Sequence, residues 1–411
     1  MDFCRYYARR ALELEFVDGG KFTPHHITVV TPPWNFPIAI PTGTTVAPLA
    51  TGSAVIHKPS PETRRCSAAI CEALWEAGVP RDVLQLVDAV EGDAGKTLIS
   101  HPDVQRVVLT GAYETAQLFA KWFPERPLTA ETSGKNSLVI TPSSDRDQAV
   151  WDLVSSAFGH AGQKCSAASL GILVGSVATS DRFRRQLIDA ASSMVVAWPD
   201  DLQASVGPTV EKPEGKLLKA LTELEPGEEW LIEPEQLDDS GKLWRPGIRT
   251  GVKPGSFFHL TECFGPVLGL MRADDLDEAI ELQNATDYGL TAGIHSLDAD
   301  EILHWVDRVQ AGNLYVNRGI TGALCSASPS VVGSARRWAW VPRPVDPTTW
   351  RRWVAGAAKT SRPRVRTAVR PAPGFWSRAC TVDWMLSCPG GRGRSGVAAP
   401  RCHVRSVRVA A

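Results

Sequence analysis

Between residues 26 and 109 the sequence alternates between short apolar runs and stripes spaced three and four residues apart, which restricts the fold more than any other feature. His26 to Val30, Ser53 to His57, Val83 to Val87 and Arg106 to Leu109 are brief runs rich in apolar residues, the pattern of strands covered on both faces. After the second run, Ser60-Pro61 supplies an N-cap with proline at the first helical position. The helix so started carries Ala69, Ile70, Ala73, Leu74 and Ala77 on one stripe and stops near Gly78, and Gly95 to Ile99 lies in another helix. Strands alternating with helices predict a parallel sheet with crossovers, hence a doubly wound α/β domain of the dinucleotide-binding type. The chain's beginning departs from this rhythm. A helix end, Leu14 to Val17, a turn at Asp18-Gly19-Gly20 and the strand from His26 read as a hairpin.

From Gly134 a second α/β unit follows, opened by the strand-like Ser137-Leu138-Val139-Ile140. It predicts helices over Ala149 to Phe158, Asp181 to Val195 and Asp275 to Gln283, with strands at Leu170 to Val174 and Asn313 to Asn317. Leu303, Val306 and Val309 continue the helical pattern. Residues 1–133 are thus expected to form a dinucleotide-binding domain and residues 134–324 a catalytic domain, with cofactor and reacting groups facing one cleft.

The chemistry rests on three short segments: Pro33-Trp34-Asn35-Phe36-Pro37, Glu131-Thr132-Ser133-Gly134-Lys135-Asn136 and Gly162-Gln163-Lys164-Cys165-Ser166-Ala167. Attack on a carbonyl through a covalent thioester calls for a soft nucleophile that later leaves readily, and Cys165 fits. The oxyanion needs fixed donors, for which Asn35 and the Cys165 amide are candidates. Hydrolysis of the thioester needs a carboxylate to activate water, and Glu131 fits. Each residue alone has a plainer reading: a free Cys is commonly a small buried hydrophobe, Glu131 a surface acid, Asn35 a turn residue between prolines. The polar neighbours of Cys165 separate it from a core position.

Together, and in this order, the segments resemble the aldehyde dehydrogenase superfamily. The likeness implies an aldehyde dehydrogenase-like α/β fold and NAD as cofactor. It makes Cys165 the nucleophile, Glu131 the base and Asn35 the oxyanion donor, and places Pro33, Trp34, Thr132 and Phe264 against the cofactor. Lys58 and Ser60, in His57-Lys58-Pro59-Ser60, fall at the adenosine ribose, and Glu262, in Glu262-Cys263-Phe264-Gly265-Pro266, at the nicotinamide ribose. Thr110-Gly111-Ala112 follows a strand and opens a helix whose N–H groups face a pyrophosphate; Ala112 stands where the family usually has Ser.

Within the superfamily, Asp2-Phe3-Cys4-Arg5-Tyr6-Tyr7, Tyr113-Glu114-Thr115-Ala116 and Leu314-Tyr315-Val316-Asn317-Arg318-Gly319 are similar to glutamate γ-semialdehyde (1-pyrroline-5-carboxylate) dehydrogenases. The likeness extends to the dehydrogenase part of bifunctional proline-utilisation proteins, where a Ser after the nucleophile, here Ser166, helps hold the substrate carboxylate. The resemblance implies a small aldehyde as substrate and a homo-oligomer, and it ends near residue 324.

Composition changes at the same place. Residues 325–411 hold 15 Arg and one Lys against two Asp and no Glu, a balance of +14, whereas the first 324 residues hold 28 basic and 43 acidic side chains. An acidic body argues against nucleic acid as its partner. The tail, with six of the 14 Trp and no Ile, lacks any periodicity and reads as the product of a shifted reading frame. A basic nucleic-acid-binding arm is the alternative, with Arg on phosphates and Trp stacked on bases. Compared with the family, the chain has a shorter segment before Pro33 and lacks the loops expected after Arg318. The sequence-level expectation is therefore a truncated enzyme with impaired activity, or an inactive remnant that serves as a binding module. Dehydrogenation of another aldehyde is a third reading. Nine Cys with no metal-type pairing and no secretory segment read as a reduced, cytoplasmic protein without a metal site. No apolar run reaches the roughly 18 residues a membrane span needs.

Overall fold

A computed structural model of the chain describes residues 1–14, 22–89 and 92–321. After helix α1 (Asp2–Glu13), the first unit contains strands β1 (Ile27–Thr31), β2 (Ala54–His57), β3 (Leu84–Leu86), β4 (Arg106–Gly111) and β5 (Leu128–Thr132). Between them run α2 (Ala39–Ala50), α3 (Arg64–Glu76), α4 (Asp93–Ser100) and α5 (Tyr113–Trp122). All the pairings are parallel and the strand order is β3-β2-β1-β4-β5. That is the doubly wound arrangement, with its switch of direction between β1 and β4.

Successive residues of a strand point to opposite faces. Val29, Val107 and Leu109 accordingly pack with Ile99, Ala116 and Phe119 on one side. Val30, Val55 and Val108 pack with Cys71 and Leu84 on the other.

Three expectations need correction here. The hairpin does not form around β1, because both neighbours of that strand, β2 and β4, run parallel to it; the first strand and turn of the expected hairpin fall largely at residues 15–21, outside those described. The helix after Ser60 starts as a 3-10 turn, Pro61–Thr63, and Ser60 makes no side-chain cap. On α3 the buried stripe is Ser67, Ile70 and Cys71, while Ala69, Ala73 and Ala77 face solvent. Alanine covers too little area to decide which face turns inward.

The second unit contributes β6 (Asn136–Ile140), α6 (Arg146–Phe158), β7 (Ala168–Val174), α7 (Asp181–Ser192), α8 (Gly215–Thr222), β8 (Glu229–Ile232), β9 (Glu235–Gln236) and β10 (Trp244–Arg245). It continues with β11 (Gly247–Thr250), α9 (Phe257–Leu260), β12 (Val267–Ala273), α10 (Leu276–Asn284), β13 (Thr291–His295), α11 (Ala299–Arg308) and β14 (Asn313–Val316). Seven of its strands lie in the order β14-β13-β6-β7-β12-β11-β8, parallel throughout except for β8, and β9 and β10 pair as a separate ribbon. Leu138 and Ile140 join Leu153, Phe158 and Leu187 on one face. Val139 and Ile172 join Ile280 and Trp305 on the other. Helix α7 stops at Ser192 rather than Val195, and on α11 Trp305 is buried whereas Leu303 is exposed.

The chain passes from one sheet to the other through only Ser133-Gly134-Lys135, between the end of β5 and the start of β6. Whatever follows β5 therefore lies against the second unit. Residues 325–411, expected to be an aberrant tail, lie outside the described residues.

Candidate active site

Because the strands of the first sheet are parallel, the segments after β1, β2, β4 and β5 all leave from one edge. Pro33, Trp34 and Asn35 follow β1; Lys58 and Ser60 follow β2; Thr110 and Gly111 end β4, with Ala112 capping α5; Glu131 and Thr132 end β5. In a doubly wound sheet this edge, beside the switch point, is where a ligand crevice forms. The Thr110 hydroxyl is buried there without a hydrogen-bond partner. Phe264, held at a positive φ of 59°, brings its ring edge-on to Trp34 at 5.7 Å between centroids. Lys58 is half-buried at the mouth, its N–H extending the ladder to Val30 O at 3.0 Å.

Several of these groups already have partners. The Ser60 hydroxyl bonds to the Glu62 carboxylate. The first N–H of α5, that of Tyr113, donates to Ser133 Oγ at 3.2 Å, so one of the helix-end donors expected for a pyrophosphate is taken. Glu262 is buried and accepts the Gly134 N–H at 2.7 Å, bonding to the junction between the sheets. Burial pushes its carboxyl up, and bonds from Gly134 and Ser133 oppose the rise.

Cys165 comes from the second unit and meets Glu131 from the first. Its Sγ lies 3.8 Å from Glu131 Oε1 and donates to it. Asn35, also buried, donates from Nδ2 to Gln163 O at 3.0 Å, two residues before Cys165. An amide nitrogen carries two hydrogens, so one remains for an oxyanion. Ser166 is half-buried directly beyond the thiol. The three segments singled out in the sequence thus converge from two sheets.

The electrostatics add something the sequence did not predict. Burial raises the Glu131 carboxyl from 4.5 to about 7, with its bond from Cys165 acting the other way. Burial, and then the neighbouring Glu131 and Glu262, push the Cys165 thiol well above its ordinary value, opposed by the Ser166 N–H. The site as it stands disfavours a thiolate at Cys165.

Other residues of the site went unassigned in the sequence. Asn136 donates from Nδ2 to Cys165 O at 2.6 Å and to Ala167 O at 3.0 Å, while its Oδ1 accepts the Thr291 N–H at 3.0 Å. Gln163 ties the same loop to the second unit, accepting the Val210 N–H at 2.8 Å and donating to Pro208 O at 3.1 Å. At Gly134 a Cβ would lie 2.3 Å from Cys165 O, so only glycine lets the junction approach the loop this closely. Gly162 closes a run of left-handed residues with His160 and Ala161, and a Cβ there would meet Gly265 O at 2.1 Å. Their signal was the company they keep, since all lie within the motif segments or beside them. Lys135 is buried over the Phe258 ring at 3.9 Å and donates to Ser169 Oγ at 2.6 Å, burial pushing its ammonium down to about 8. Among the described residues no group of His, Cys, Asp and Glu could hold a metal ion, and no helix is long and apolar enough to cross a membrane.

A sequence model described as the aldehyde dehydrogenase family matches residues 4–331. Over 348 residues the chain is 34% identical to a Bacillus subtilis protein named 1-pyrroline-5-carboxylate dehydrogenase 2, covering 80% of this chain and 67% of that one. Among solved structures, proline utilization A from Corynebacterium freiburgense shares 55% identity at a TM-score of 0.76, over 79% of this chain and 33% of that one. This chain therefore spans about a third of that protein's length. A 1-pyrroline-5-carboxylate dehydrogenase from Thermus with bound NAD shares 33% identity at a TM-score of 0.72, over 80% of this chain and 67% of that one. With the family model matching residues 4–331 and a relative 34% identical over two thirds of its length, the chain belongs to the aldehyde dehydrogenase family.

Proposed function

We propose that the chain catalyses NAD-dependent oxidation of an aldehyde to its acid through a thioester on Cys165, and that the aldehyde is glutamate γ-semialdehyde. The observation that carries this reading is the 3.8 Å contact between Cys165 Sγ and the buried Glu131 carboxylate at the edge of a doubly wound sheet.

Cys165 Sγ, its proton given up to solvent, attacks the aldehyde carbon. The second N–H of Asn35 and the Cys165 amide are the donors for the resulting oxyanion. When bound, NAD supplies the acceptor for the hydride that leaves this carbon. Pro33, Trp34, Thr110, Gly111 and Phe264 would hold it at the crevice, with Lys58 and Glu262 at its two sugars; the unpartnered Thr110 hydroxyl fits such an occupant. Glu131, with a carboxyl near 7, is then suited to remove a proton from the water that hydrolyses the thioester. The Ser166 hydroxyl would help hold a substrate carboxylate, and the names of the Bacillus subtilis and Thermus relatives favour a substrate of that kind.

The test is NADH formation by the full chain with NAD and a panel of aldehydes that includes glutamate semialdehyde. Turnover lost in Cys165→Ala and fastest with the semialdehyde is expected. Equal turnover in Cys165→Ala would refute the mechanism, and a strong preference for an uncharged aldehyde would refute the substrate.

A further inference from the structure

Asn136 opens β6 at a point where the register with β7 shifts, between Asn136 and Ser137. Its amide spans three segments, with Nδ2 on the carbonyls of Cys165 and Ala167 and Oδ1 on the N–H that begins β13. The amide is 2% exposed, so no water competes for these bonds. The nucleophile itself sits in a tight turn closed by Ala167 N to Lys164 O at 3.0 Å.

A trans peptide is planar, so its C=O and N–H point in opposite directions. The Cys165 carbonyl and the Ser166 N–H belong to one such plane. Fixing the carbonyl on Asn136 turns the N–H towards the opposite side, and the Ser166 N–H is the backbone donor that favours charge on Cys165.

We propose that Asn136 is a positioning residue for the nucleophile: it locks the Cys165–Ser166 peptide so that the Ser166 N–H faces Sγ. This rests on the reading of Cys165 as the nucleophile. Glu131 and Glu262 both disfavour a thiolate at this place, and the Ser166 N–H acts against them. No other residue type fills the role, since the position needs two donations and one acceptance from a side chain of this length. Asp would set an anion against two carbonyls, and Gln would reach past them.

The experiment measures alkylation of Cys165 by iodoacetamide from pH 7 to 10, by peptide mass analysis, in the full chain and in Asn136→Leu, a neutral substitution of similar shape. Losing a hydrogen bond to a thiolate slows its formation about tenfold or more. The expected result is Cys165 labelling slowed by that factor across the range, with labelling of Cys66, on α3, unchanged as the internal control. A residue that merely braced the loop would have the opposite effect, because a loosened loop exposes the thiol and speeds labelling. Unchanged or faster labelling of Cys165 would therefore overturn the proposal. Should Asn136→Leu not fold, Asn136→Ser, which crowds nothing, carries the same expectation. Neither aldehyde nor NAD is needed, so slowed labelling in a chain that oxidises no aldehyde would leave this inference standing while the functional reading fails.

Discussion

Glu131→Gln should stabilise the protein, and only at neutral to alkaline pH. Burial lifts the Glu131 carboxyl from 4.5 to about 7, and at about 1.4 kcal/mol per pH unit, ionising it in place costs roughly 3 kcal/mol. The folded state holds this proton more tightly than the unfolded chain does. The stability it contributes is complete below about 4.5 and is lost as pH rises through about 7. Glutamine keeps the shape and stays neutral. Urea denaturation followed by tryptophan fluorescence should show the variant and the parent equally stable at pH 4.5, and the variant ahead by up to roughly 3 kcal/mol at pH 8.5. A gain of the same size at both pH values, or a loss at pH 8.5, would falsify the claim that the carboxylate is held ionised against its burial.

In rapid-mixing kinetics the same variant is expected to release a burst of NADH and then turn over slowly, by a factor of about 10² to 10⁴. Removing the Glu131 charge eases thiolate formation, whereas hydrolysis loses its base; a missing burst with NAD still bound would contradict this. Gly134→Ala places a Cβ 2.3 Å from Cys165 O, and a shift of about 1 Å in the loop should lower kcat about a hundredfold with the fold retained; kcat within twofold of the parent would show that the junction yields freely. Glu228→Leu leaves the Arg249 guanidinium, paired with it at 2.8 Å, buried without that carboxylate, which should cost about 3 to 5 kcal/mol in denaturation; a loss under 1 kcal/mol would mean that the Arg249 bond to Ala220 O and its contacts with Trp230 and Phe258 suffice.

Local signals in the sequence carried the parallel sheets a long way. Apolar runs of strand length between helical stripes are read over a few residues, and the resulting elements at Ala54–His57, Arg106–Gly111 and Ala168–Val174 lie where those runs do. Helix α2 was harder to see, because Pro41, Gly43 and Pro48 interrupt its sequence. The stretch from β8 to β12 gave little warning either, its strands being two to seven residues long and one pair largely exposed. Cys165, Glu131 and Asn35, proposed as nucleophile, base and donor, were singled out from their motif company, and the structure brings the first two within 3.8 Å.

By itself, then, the sequence determined the class of fold and the chemical kinds of group available, since periodicity and side-chain type are properties of short segments. Only the tertiary structure decided which strands are neighbours. β1 could have closed a hairpin locally, but pairing with β2 and β4 covers both its edges and buries Val29 and Val30 on opposite faces. The ionisation of the site was decided in the same way. Burial raises the cost of charge on both a thiol from one sheet and a carboxylate from the other, and the carboxylate adds to the cost at the thiol only when packing removes the water between them; nothing in either segment alone contains that distance. The role of Asn136 belongs here too: its neighbours in sequence are Lys135 and Ser137, but the groups it holds belong to Cys165, Ala167 and Thr291, and they reach it because three parallel strands begin side by side.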